Sequence, residues 1–118
     1  MSFFPLASAV ARGGMYRSTT SSGTVDLKDR LILVTSGTTV DMTLPSPDVS
    51  GFDSQAALFF TLATWGSGVT AQLVSPGSNP IGGVGQSRTV GAYSSITVTA
   101  AGSDGWVIVA SSGTITSP

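Results

Sequence analysis

The side chains of this chain that could do chemistry are few, and Asp26, Lys28, Asp29 and Arg30 form their only charged cluster. A serine nucleophile needs an adjacent base to activate its hydroxyl, and Lys28 would have to serve. None of the nineteen serines stands in a pattern that marks it as the partner of that lysine. The cluster therefore reads as a solvated turn leading into the apolar run behind it. Asp48 and Asp53 flank Gly51 and could direct two carboxylates at one calcium ion. Calcium takes about six to eight oxygens, and this stretch supplies too few donors, so an Asx turn is the expectation. Gly82-Gly83-Val84-Gly85 lacks the Lys-Ser/Thr pair that a phosphate-binding loop requires and reads as a flexible loop.

The rest of the composition agrees. Acid–base catalysis draws mainly on His, Glu, Asp, Lys, Tyr and Cys, and His, Glu and Cys are missing altogether. Charged residues make up 9% of the chain, against about 25% in an average soluble domain. Ser and Thr fill thirty-four of the 118 positions. A chain of this kind stays in solution through its hydroxyls or gives its surface to neighbours. The reading is a structural or binding protein, not an enzyme, with no cofactor and no metal. A net charge of −1 without clustered Lys or Arg offers no footprint for nucleic acid or an anionic membrane. The longest apolar run, residues 56–63, is far shorter than the ~20 residues of a membrane-spanning helix.

Binding chemistry is better supplied. Phe3, Phe4 and Leu6, with Arg12 and Arg17 downstream, make a mixed apolar and basic opening segment. It has no basic stretch ahead of its apolar residues and carries Pro5 within them, so it does not read as a signal peptide. It is expected to be an ordered N-terminal arm, residues 1–13, that docks on a larger and acidic assembly. Trp65 sits at a Gly-rich turn, where it can meet a subunit or stack on a sugar ring. Trp106, between Asp104-Gly105 and Val107-Ile108-Val109, reads as core. The candidate interface is thus Phe3, Phe4, Leu6, Arg12, Arg17 and Trp65.

The elements that must position these residues are strands. No window shows the spacing of three and four that marks a helix. Leu31-Ile32-Leu33-Val34 is a continuous run expected to be covered on both faces. Val40, Met42 and Leu44 alternate with polar residues, as a half-buried strand does. Ser36-Gly37 between these two runs predicts a tight hairpin, and Pro45-Ser46-Pro47 ends the second. Residues 56–64 form the most hydrophobic strand, and Trp65-Gly66-Ser67-Gly68 turns it toward a return strand carrying Val69, Ala71 and Leu73. Residues 75–87 are the longest irregular stretch. Ile96, Val98 and Ala100 alternate on one more strand, and Gly102-Ser103-Asp104-Gly105 turns it toward Trp106 to Val109, read as buried on both faces. Residues 15–19 and 114–116 are weaker strand candidates. The sum is one all-β domain over residues 14–118, a small antiparallel sandwich or jelly-roll-like barrel of about 7–9 strands.

Val40-Asp41-Met42-Thr43-Leu44-Pro45, the hydrophobic strand with its Gly-rich turn, and Ser95-Ile96-Thr97-Val98 followed by Ser103-Asp104-Gly105-Trp106-Val107-Ile108-Val109 resemble one module. It is common in virion proteins of tailed bacteriophages, in head decoration and in tail fibres. The resemblance covers about two thirds of the chain, residues 31–111. It implies a homotrimer without catalytic residues. The separate arm and the lack of a coiled-coil stretch favour a decoration, or cement, protein on the capsid surface, bound to the major capsid protein. The alternative is a tail-fibre or receptor-binding module that touches host glycan through Trp65 and the 75–87 loop. Self-association also follows from strand edges, which soluble monomers protect with lysine or proline. This chain has one lysine.

Overall fold

A computed structural model describes residues 15–26, 29–45, 59–77, 79–83, 85–101 and 105–117. The arm residues Phe3, Phe4, Leu6 and Arg12, the pair Asp48 and Asp53, and Lys28 lie outside the described residues. Those described are all β and contain no helix. Ten strands follow in order: β1 (Met15–Thr19), β2 (Gly23–Thr24), β3 (Asp29–Val34), β4 (Val40–Thr43), β5 (Phe59–Thr64), β6 (Ala71–Val74), β7 (Ser87–Val90), β8 (Ser95–Ala100), β9 (Trp106–Ser112) and β10 (Ile115–Thr116).

They form two five-stranded sheets, β1-β3-β5-β8-β9 (sheet I) and β10-β7-β6-β4-β2 (sheet II): of the two expected architectures the sandwich, with mixed sheets in place of antiparallel ones. Alternation sets the core. Ile32 and Val34, Phe60 and Leu62, and Ile96 and Val98 point inward from sheet I, and Val40 and Met42, Ala71 and Leu73, and Val90 from sheet II. All are buried, along with Trp106. Burying each large side chain of this kind contributes roughly 1.5–3 kcal/mol.

Strand pairing differs from the sequence expectation. β3 and β4 do not form a hairpin, nor do β5 and β6; each pair is split between the two sheets. Within the sheets, β1 pairs parallel with β3 and β3 with β5, while β2 pairs parallel with β4 and β4 with β6. The first six strands thus coil between two sheets. Antiparallel hairpins β6–β7 and β8–β9 then complete the sandwich. Glycine supplies the bend in either arrangement, and so its presence does not choose between them. At Gly37 (φ +107°) and Gly66 (φ +144°) the backbone swings the next strand across the core instead of beside the last. A Cβ at either position would press into the side chain of Val40 or Val69 respectively, so both turns are closed over buried valines.

Two strands read as buried on both faces are not. Val107 and Val109 are exposed because β9 is the edge of sheet I, and a bulge near Thr97 and Val98 interrupts its pairing with β8. Leu31 and Leu33 lie on the outward side of β3 and are half-buried. The supposed solvated turn also needs correction at one residue. Asp29 is 1% exposed and takes the Arg17 guanidinium on both carboxylate oxygens, at 3.2 and 3.1 Å, and the Asp26 N–H at 2.7 Å. Arg17 also donates to the Thr24 carbonyl at 2.9 Å, which ties β1 and β2 to the start of β3. Its charge-assisted bonds close the first turn of the coil.

Candidate functional site

The register places five crossings of the chain between the two sheets at one end of the sandwich. The connections 20–22, 35–39, 65–70, 91–94 and 113–114 each join a strand of sheet I to a strand of sheet II, and they stack in the order of the strands they join. Bonds run from one to the next: Thr35 N–H to Thr19 C=O, Trp65 N–H to Val34 C=O, Thr64 N–H to Ser94 C=O, and Gly91 N–H to Thr114 C=O, between 2.9 and 3.1 Å. Thr39 N–H reaches Thr70 Oγ1 at 2.8 Å and Thr70 N–H reaches Gly37 C=O at 3.1 Å. Through these five connections run Thr20, Ser21, Ser22, Thr35, Ser36, Thr38, Thr39, Ser67 and Thr114, all exposed, and no charged residue.

In the middle of this hydroxyl-rich end stand Trp65, 64% exposed, and Tyr93, 55% exposed. Their rings meet edge to face, with centroids 5.0 Å apart and planes at 87°. Edge-to-face pairs are a favoured aromatic geometry and contribute about 0.5–1.5 kcal/mol beyond burial, enough to hold the indole in a set orientation. Tyr93 has a φ of +52° and Thr39 a φ of +59°, positions where bulky or branched residues are outliers. Both belong to this end of the molecule.

The turn carrying Tyr93 is pinned from beneath. Thr64, 2% exposed, donates its hydroxyl to the Gly91 carbonyl at 2.5 Å and accepts from the Ser94 N–H at 3.0 Å. Ser94 Oγ donates to Ala92 C=O and accepts from Thr114 N–H, both at 2.9 Å. A Thr64→Val variant keeps the shape and strips these bonds. It is expected to lose about 1–3 kcal/mol, the usual result of leaving buried polar groups unmatched. Urea unfolding of the two proteins measures the loss.

A second surface is the outer face of sheet I. One row in register is Tyr16, Leu31, Thr61, Thr97 and Ala110; a second is Ser18, Leu33, Ala63, Ser95 and Ser112; a third is Phe59, Thr99 and Val107. None of these is charged. Thr61 and Thr97 satisfy each other across the strands at 2.8 Å. The outer rows of sheet II differ: Asp41, Gln72, Thr89 and Thr116 in one, and Thr24, Thr43, Val74 and Ser87 in the other. One face of the sandwich is apolar with hydroxyls, and the opposite face is polar.

Of the six candidate interface residues, the described ones are Arg17, bound to Asp29, and Trp65, on the crossing end. Trp106 is core, as expected. Trp65 and the described residues of the 75–86 stretch lie at opposite ends, because β6 separates them. They cannot share one small ligand. At that far end Gly82 and Gly83, with φ of +68° and +82°, make a turn whose Gly82 N–H bonds to the Trp106 carbonyl at 2.7 Å. Sequence reasoning missed Tyr93 and the row of Phe59 and Val107. An aromatic in Gly-Ala-Tyr-Ser was visible as a turn residue, but nothing local brings it to Trp65. Among the described residues no group of three or more His, Cys, Asp or Glu is placed to hold a metal ion. Compared with known protein families and with curated protein sequences, the chain matches no family model and no relative.

Proposed function

We propose that this chain is a structural component of a bacteriophage virion, a decoration protein that binds the capsid surface as a homotrimer and bridges capsomers. The observation that carries the reading is the uncharged outer face of sheet I, where Phe59 and Val107 are 43% and 42% exposed. Interface centres are depleted in charge and enriched in aromatics, and contiguous apolar surface in a small protein marks an interaction site. The β9 edge adds to it. Along that edge Pro80 and Gly82 bond at Trp106, and the seven residues of β9 carry no charge and no proline. The resemblance of residues 31–111 to phage virion modules supplies the virion and the number three. Repetition of modest contacts over a particle gives tight attachment through effective concentration.

Two measurements test this. Mass spectrometry of purified particles of the virus that encodes the chain should find copies in proportion to capsomers; a handful of copies, or none, sinks the proposal. Light scattering of the free protein at micromolar concentration should give the mass of three chains. A mass of one 11.8 kDa chain removes the trimer.

A further inference from the structure

We infer that the crossing end of the sandwich is a binding site for a neutral saccharide, with Trp65 as the stacking platform and Tyr93 as its buttress. The inference is independent of the assembly reading, which uses the outer face of sheet I. Four features of the site point the same way. Trp65 is the most exposed large hydrophobic residue described, and its contact with Tyr93 fixes the plane of the indole. Around it the neighbouring connections present Thr35, Ser36 and Ser67, all exposed, along with main-chain groups. A pyranose offers this combination in mirror form: a ring face of C–H bonds for an aromatic surface, ringed by hydroxyls that both donate and accept. Small-ligand sites combine an apolar surface with a few placed polar groups in this way.

The third feature is the absence of charge from all five connections. Phosphate, nucleic acid and acidic sugars are bound through Arg, Lys or helix termini, and these five connections contain none. An apolar protein partner would instead call for a wide hydrophobic surround, whereas Trp65 and Tyr93 rise from hydroxyls. The fourth is strain. Tyr93 is held at positive φ by the Thr64 and Ser94 hydrogen bonds, and strained residues collect where geometry serves binding.

The full-length protein is applied to an array of neutral and sialylated oligosaccharides, and the strongest neutral signal is titrated. Intrinsic fluorescence reports the site directly, because the chain has two tryptophans and Trp106 is fully buried. Binding should shield Trp65 from acrylamide quenching. Trp65→Ala should weaken binding at least about tenfold while the protein keeps a cooperative urea unfolding transition with little change in midpoint, and Trp65→Phe should fall between. Tyr93→Gly, which relieves the strain and removes the buttress, should weaken binding without unfolding the domain. No neutral-glycan signal, binding confined to sialylated glycans, or full affinity in Trp65→Ala would each overturn the assignment. So would a concentration-dependent mass that Trp65→Ala abolishes in place of sugar binding, since Trp65 would then meet a second copy.

Discussion

Trp106→Ala is expected to cost the domain about 3–5 kcal/mol, the range for emptying a buried tryptophan site, while Trp65→Ala should cost no more than about 1.5 kcal/mol, the edge-to-face contact with Tyr93. The two residues share a side chain and differ in surroundings. Trp106 is 0% exposed, at the start of β9, and its main chain is bonded to both Pro80 and Gly82. That fixed corner cannot collapse into the space left behind. Gly105 just before it has a φ of +84° and packs its Cα against the Pro80 backbone so closely that no side chain fits. A domain of this size holds about 5–15 kcal/mol in all, so the loss takes roughly a fifth of it or more. Far-UV circular dichroism in urea should show a midpoint shift large enough to leave Trp106→Ala partly unfolded near physiological temperature. A stability loss under about 1 kcal/mol would mean that the corner repacks and that the core assignment is wrong.

Thr61→Glu is expected to leave the monomer folded and to abolish assembly. Thr61 lies on the outward side of β5, the central strand of sheet I, between Leu31 and Thr97 in register. In the free protein the new carboxylate can extend into water, and the loss of the Thr97 hydroxyl contact costs only about 1 kcal/mol. Beneath a partner the same carboxylate would be trapped without a counter-charge, at about 3 kcal/mol or more. That is at least about a hundredfold in each contact's dissociation constant, multiplied over the copies on a particle. Thr89→Glu, on the polar outer row of sheet II, is the matched control. Co-sedimentation of each variant with undecorated capsids separates them. Equal occupancy by Thr61→Glu would remove the outer face of sheet I from the interface. Loss with Thr89→Glu alone would move the interface to the opposite sheet.

Much of this molecule was legible from residue order. Period-two alternation told which side chains of Val40-Asp41-Met42 and Ser95-Ile96-Thr97-Val98 face inward, because a strand turns its side chains over at every residue whatever stands beside it. Trp106 read as core from the apolar run it opens, and Trp65 as a turn residue from the glycines that follow it. Hydrogen-bond partners were another matter. A strand's pattern records what lies above and below it and is silent about what lies at its edges. Gly37 and Gly66 would bend a hairpin or a crossing equally well, and in the fold each closes over a buried valine, Val40 or Val69. Continuous apolar runs also misled: Val107 and Val109 follow Trp106 in a run fit for a central strand, yet β9 closes a sheet and leaves them outside.

The sequence by itself determined an all-β domain, the inward residues of its alternating strands, and an abundance of hydroxyls with very little charge. The tertiary structure alone decided what became neighbours. Coiling between two sheets stacks five connections at one end, and this brings Tyr93 against Trp65 and Arg17 against the buried Asp29. It also gathers the uncharged outward residues of five separate strands into one face. The reason is the range of the forces involved. Local propensity and alternation act over a few residues, whereas the pairing of distant segments is settled by the burial of a whole core at once.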